Sequence, residues 1–183
     1  SGEDAIDITS NGSGALLSNI KGIEAGDNGI DGHALATDVV VRGCRIENAD
    51  NKSIDIKGDN CKVIDSFVFS SADDGIRVSG QDSSIISCEC VSNGNEAIEL
   101  AGQGCKANDN TIDNPSDRGI AIEAEDCQAN DNRIAGTGND GILLNQDNCK
   151  ANSNSIRNAG DEGIDVDGAS CDVNGNTVID SSD

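Results

Sequence analysis

The chain has 183 residues and no Trp, Tyr or Met; Pro occurs once and Phe twice. With so few rings, the sequence cannot build the aromatic platform on which sugar-binding clefts usually stack their ligands. No stretch approaches the 18 or more apolar residues of a membrane-spanning helix, and no charged-then-apolar signal peptide opens the chain. A start at Ser1-Gly2 without Met is expected of a processed or recombinant fragment. Cations are also scarce: 12 Lys and Arg stand against 34 Asp and Glu, for a net charge of −22. That balance excludes a nucleic-acid partner, because phosphate binding needs clustered cations. Low hydrophobicity with high charge would read as disorder, unless the apolar residues are placed with strict regularity.

They are so placed. Ile recurs at 6, 30, 54, 76, 98, 120, 142 and 164, at spacings of 24, 24 and then 22 five times. The four blocks from Glu96 to Asp183 align without a gap. Numbered 1 to 22, each block carries apolar residues at 3 and 5, Cys at 10, Ala or Val at 12, Asn at 15 and Ile or Val at 17. Such alternation is the signature of strands with one buried face. The Gly, Asn and Asp between them supply turns. A period of 22 is too short for two helices and a turn. One block cannot bury its own apolar face, so the blocks must stack. The reading is an all-β, single-domain parallel β-helix over 1–183 with three short strands per coil and about eight coils. Residues 1–51 form irregular first coils, with two extra residues between positions 5 and 10, and 52–183 form regular ones.

Three columns then face inward. Position 5 runs Ile8, Gly32, Ile56, Val78, Leu100, Ile122, Leu144, Val166. Position 12 runs Leu17, Val41, Val63, Ile85, Ala107, Ala129, Ala151, Val173. Position 17 runs Gly22, Ile46, Val68, Cys90, Ile112, Ile134, Ile156, Val178. The Gly-Ile-x-hydrophobic steps (Gly75 to Val78, Gly141 to Leu144, Gly163 to Val166) and the Asn-x-Ile steps at Asn110, Asn132 and Asn154 resemble the right-handed parallel β-helix family of pectate-lyase-like solenoids. A leucine-rich repeat is the rival fold, but six Leu are too few for it. The resemblance implies architecture and leaves activity open, since lyases, hydrolases, epimerases, tailspikes and adhesins share it.

All eight Cys fall on inward columns: Cys61, Cys105, Cys127, Cys149 and Cys171 at position 10, Cys44 and Cys88 at 15, and Cys90 at 17. A column of thiols diverges along a line, whereas zinc needs four ligands converging on a point. Parallel neighbours also offer a poor disulfide dihedral. Buried free thiols are therefore expected. Asn110, Asn132, Asn154 and Asn176 are expected to form an internal hydrogen-bonded ladder. Asn108, Asn130, Asn152 and Asn174 are read as left-handed residues of the bend.

Two surfaces are candidates for chemistry. Position 22 carries Asp73, Asn95, Asp117, Asn139, Asp161 and Asp183, and position 1 carries Asp74, Glu96, Arg118, Asp140 and Glu162. Capping of the turns by these side chains is the plain explanation. Stacked carboxylates would also recruit Ca²⁺, with Asp73, Asp74, Asp140, Asp161 and Glu162 as ligands. No cofactor is required by the sequence. In the family resembled, the substrate cleft runs along the outward face of the first strand. Here that face holds Asp31, His33, Asp55, Lys57, Arg77 and Glu99. Carboxylates one coil apart would stand about 5 Å from each other, near the retaining glycosidase separation, and those two coils apart, Asp55 and Glu99, about 10 Å, which approaches the inverting one. A lyase would use Lys57 or Arg77 as base. A solvated face of mixed charge is the competing reading. The Gly-His-Gly and Arg-Ile-Lys steps of polygalacturonase-like enzymes are missing.

Phe67 and Phe69, with Val91 one coil on, should form an outward apolar patch for a ligand or partner. No cap follows the last block, so flanking domains or end-to-end self-association are expected. Three functions follow: a non-catalytic scaffold or extracellular, cell-surface binding module associated with polysaccharide; the core of a polysaccharide lyase or glycoside hydrolase; or a truncated or engineered repeat array.

Overall fold

The computed structural model describes residues 2–182, without the Ile23 side chain; Asp183, the last member of the position-22 column, lies outside them. Each strand is only three to five residues long, because a single left-handed residue turns the chain at each of three recurring corners. At position 14 these are Asn19, Gly43, Asp65, Ser87, Asp109, Asp131, Ser153 and Gly175, with φ between 51° and 65°. Equivalent corners occur at position 9, as at Asn60 and Asp126, and at position 19, as at Asn114 and Asn158. Asn, Asp, Ser and Gly are the residues that tolerate this geometry.

The corner falls one residue after the place expected from the sequence. Asn108, Asn130, Asn152 and Asn174 are not the left-handed residues; each ends its strand in extended conformation. They form two outer pairs instead, with Asn130 Nδ2 donating to Asn108 Oδ1 at 3.2 Å and the Asn174 N–H donating to Asn152 Oδ1 at 3.0 Å.

Strands of successive coils pair in parallel and in register, giving three sheets of eight strands among the described residues. The first sheet runs from Ile6–Ile8 to Ile164–Val166, the second from Leu16–Ser18 to Asp172–Asn174, and the third from Lys21–Ala25 to Thr177–Ile179. The pairing offset is 24 residues in the first coils, as between Ile6 and Ile30 or Leu17 and Val41. It is 22 from Val41 to Val63 onward. The position-17 column needs one correction. A bulge shifts the register in Lys21–Ala25, so Ile23, not Gly22, stands opposite Ile46; Gly22 occupies a left-handed turn at φ 72°. An extra residue on one strand of a pair produces this shift.

The core is the sum of the columns: Ile30, Ile54, Ile76, Ile98, Ile120 and Ile142 are all fully buried. Gly32 leaves room in the position-5 column, and Ile56 Cδ1 reaches to within 3.0 Å of where a Cβ there would lie.

Several polar side chains enter this core to complete the hydrogen bonds of the backbone. Asn132 Oδ1 accepts from the Asn110 N–H and from Asn110 Nδ2, both at 3.0 Å, while Asn132 Nδ2 donates to the Ala107 carbonyl at 2.9 Å. Asn154 repeats the pattern one coil on. The cysteines at position 10 also do more than fill space. Cys105, Cys127 and Cys149 donate to the carbonyls of Gly80, Gly102 and Ala124 at 3.1, 3.2 and 3.3 Å. Ser83 stands in the same column and donates to Gly58 O at 3.4 Å. All eight Cys are free, and all but Cys171 are buried.

Candidate functional site

Residues at position 4 of each coil lie at the centre of a first-sheet strand, so strict register brings them together across the sequence. Asp31 pairs with Asp55, Asp55 with Arg77, and Arg77 with Glu99. The ladder continues through Ala121, Leu143 and Asp165. Lys57 bridges two rungs, contacting Asp31 and lying 3.3 Å from Asp55. Arg77 Nε lies 2.8 Å from Glu99 Oε2. His33 does not join the carboxylates: its ring is exposed, and Nδ1 accepts the Leu35 N–H at 3.2 Å.

A second ionic row runs beside the first, at positions 22 and 1. Lys52 contacts Asp73 and lies 3.4 Å from Asp74. Arg118 is 3.0 Å from Asp140, 3.3 Å from Glu96 and 3.4 Å from Asp117. The five expected calcium ligands therefore divide. Asp73 and Asp74 have Lys52 as counter-charge. Asp140, Asp161 and Glu162 bring carboxylate oxygens within 4.8 Å of one another, with Arg118 already on Asp140.

Between the two rows lies a half-buried acidic cluster that the sequence did not single out as a unit. Burial pushes Glu96 up to about 7, and its hydrogen bond with Asp74 and the nearby charge of Asp117 act in the same direction. Burial also pushes Glu99 up to about 7, opposed by the Arg77 guanidinium and assisted by Asp74 and Glu96. Asp55 is raised by burial against the pull of Lys57 and Arg77. Lys57 is held above its ordinary value because its bonds to Asp31 and Asp55 outweigh burial. A charged group removed from water favours its neutral form unless a partner compensates, and here the carboxyls outnumber the cations. Glu96 was visible in the sequence only as one acid in a turn column; its proximity to Glu99 follows from the turn geometry.

Five side-chain polar atoms among the described residues are buried without a hydrogen bond, and two lie on adjacent rungs of this ladder: Asp55 Oδ1 and Arg77 Nε. Arg77 Nε is close to Glu99 but not aligned for a hydrogen bond. Asp55 Oδ1 is thus buried without a donor one rung from Arg77, whose Nε is held by the Glu99 carboxylate at 2.8 Å.

Phe67 and Phe69 project from the third sheet with centroids 6.5 Å apart and planes 12° from parallel. Val91 pairs with Phe69 in register, as expected. The Arg45 guanidinium covers the Phe67 ring, 4.1 Å from its centroid, and is itself paired with Glu47. Phe69 is the more exposed ring, at 38%. This patch is on a different sheet from the charged ladder. Three surface hollows lie elsewhere: one is lined by Ile164, Val173 and Val178 in the last coil, another by Glu3, Asp4 and Asp27, and a third by Glu24, Asn48 and Asp50. Among the described residues, no helix is long and apolar enough to cross a membrane.

With parallel coils in register around one buried core, the architecture is decided, and residues 54–183 match the model of the right handed beta helix region. The chain belongs to the right-handed β-helix family. That match covers the regular coils. No curated protein and no solved structure matches the chain. Family membership accounts for the β-helix and its ladders; the charged face must be read from its own geometry.

Proposed function

We propose that this β-helix is a non-catalytic scaffold that binds polysaccharide along the outward face of its first sheet, in an extracellular or cell-surface setting. The observation that carries the reading is the row of charged side chains that strict register builds along this face, Asp31, Asp55, Arg77 and Glu99, with Lys57 bridging the first two. A sugar hydroxyl both donates and accepts, so it can bond the exposed parts of either the carboxylates or the cations of that row. Lys57 and Arg77 each retain about a third of their side-chain surface, 36% and 33%, so donors remain free to meet a ligand. The carboxylates between them serve mainly to hold those cations in place, with each ion pair bridging coils. High negative charge keeps such a rod soluble and separate from its neighbours. The test is retention on immobilised neutral and acidic polysaccharides. The wild-type chain is retained by at least one of them, and Arg77→Ala and Asp55→Ala weaken that retention several-fold without loss of β-sheet signal. Equal retention of both variants would refute the site.

A second reading has its own support. Glu99 lies two coils from Asp55, about 10 Å along the sheet, and its carboxyl is pushed up to about 7 by burial. A carboxylic acid held neutral to higher pH, two coils from a second carboxyl group, is the arrangement of an inverting glycosidase. Under this reading Glu99 is the acid and Asp55 the base. Glu99→Gln would then abolish hydrolysis while leaving polysaccharide binding intact.

A further inference from the structure

The thiol column carries an inference independent of the charged face. Cys105, Cys127, Cys149 and Cys171 occupy one inward position in four consecutive coils. The residues that follow them pair in register, Lys106 with Gln128, Gln128 with Lys150, and Lys150 with Asp172. The sulfurs therefore form a file with a repeat of about one strand spacing, ~4.8 Å. Each of the four sulfurs donates its hydrogen to a carbonyl of the preceding coil, which leaves its lone pairs for a ligand. Among the described residues, the one group of three or more His, Cys, Asp or Glu ligand atoms within a single metal's reach is Asp140, Asp161 and Glu162. No three thiols converge, so the file offers no tetrahedral zinc site.

Two neighbouring thiols do meet the demands of linear coordination. Two metal–sulfur bonds of about 2.3 Å laid end to end span about 4.6 Å, close to the ~4.8 Å rung. Soft sulfur selects Cu(I) and, by the same chemistry, its heavier congener Ag(I), and both take two ligands in a line. We propose that the file binds soft monovalent d¹⁰ cations between adjacent coils, one in the Cys105–Cys127 pair and one in the Cys149–Cys171 pair. Each cation displaces one proton. One sulfur becomes a thiolate, its neighbour coordinates through a lone pair and keeps its hydrogen, and the charge of the core is unchanged. The retained S–H continues to donate to its carbonyl. Entry needs only local opening of a coil, and a net charge of −22 concentrates cations around the rod.

The remaining thiols supply the controls. Ser83 separates Cys61 from the file. Cys88 and Cys90 lie two residues apart along one chain, about 6.6 Å at strand geometry, too far for a linear bridge. Ser is an accepted occupant of the column, since Ser83 makes the same bond to the preceding coil. Cys127→Ser therefore keeps the fold, which circular dichroism checks. Native mass spectrometry of the full chain with Ag(I) in chloride-free buffer reads the stoichiometry. Two Ag(I) bind to the wild type and to Cys61→Ser, and one to Cys127→Ser. No binding to the folded wild type, two retained by Cys127→Ser, one lost from Cys61→Ser, or uptake equal to the number of thiols would each overturn the proposal.

Discussion

The Asn110 backbone N–H and the Asn110 side-chain amide both donate to a single atom, Oδ1 of Asn132 one coil above, each at 3.0 Å. Asn132 in turn donates to the Ala107 carbonyl. One side chain thus satisfies two donors and an acceptor inside the core. Asn132→Ala strands the Asn110 N–H and the Ala107 carbonyl together. Chemical denaturation is expected to show a loss of about 3 kcal/mol, larger than a truncation of similar size on the surface.

The thiol column behaves differently because its donors are single. Cys149→Ser preserves the bond to the Ala124 carbonyl, as Ser83 does to Gly58, and is expected to cost about 1 kcal/mol or less. Cys149→Ala leaves that carbonyl without its donor and costs about 1–3 kcal/mol. Midpoints in urea distinguish the two; equal costs would mean that the S–H bond contributes nothing.

These two ladders show how much of the molecule the sequence made legible. A spacing of 22 with apolar residues at 3, 5, 12 and 17 was sufficient to define the coils, the inward columns and the position of every Cys, because a two-residue alternation leaves only one face to bury. It was not sufficient to locate the corners. Uniform Asn at 108, 130, 152 and 174 drew the left-handed assignment, whereas the corner is the next residue, where Asp109, Asp131, Ser153 and Gly175 vary. Several residue types tolerate that conformation, so identity at the corner is loose, while Asn one residue earlier bonds its neighbour in the pairs 108–130 and 152–174. The bulge that puts Ile23 opposite Ile46 has no periodic signal. At the charged face, register predicted which of Asp31, Asp55, Arg77 and Glu99 are neighbours. It did not reveal that Asp74 and Glu96 fold against Glu99, because that contact crosses a turn.

The corner assignment is itself testable. Asp109 has φ 58°, which a β-branched residue adopts only with strain. Asp109→Val is expected to lower stability by about 1–2 kcal/mol, and Asp109→Gly to be neutral within about 0.5 kcal/mol. The same pair of substitutions at Asn108, an extended strand residue, should reverse in order. Thermal melts of the four variants give the answer.

The acidic cluster makes the rod sensitive to pH in an uncommon direction. Glu96 and Glu99 titrate near 7 in the folded chain against about 4.3 when unfolded. The folded state therefore binds protons more tightly, so its stability is greatest below the unfolded value and is lost as pH rises through about 7. Between pH 8 and pH 4.5 the melting temperature is expected to rise, for a gain of about 3 kcal/mol shared between the coupled pair. In the Glu96→Gln, Glu99→Gln double variant that dependence flattens. A melting temperature that falls steadily on acidification, with no difference between wild type and double variant, would show the cluster to be ionised in the folded state.

The central functional claim is that the first-sheet ladder recognises polysaccharide and does not cleave it. Incubating the chain with a broad panel of neutral and acidic polysaccharides, while following both unsaturated-product absorbance and new reducing ends, tests this most directly. The prediction is retention of a polysaccharide with neither signal rising above the blank. Turnover by the wild type that disappears in Asp55→Asn, Glu99→Gln or Arg77→Ala would contradict it and make the ladder an active site.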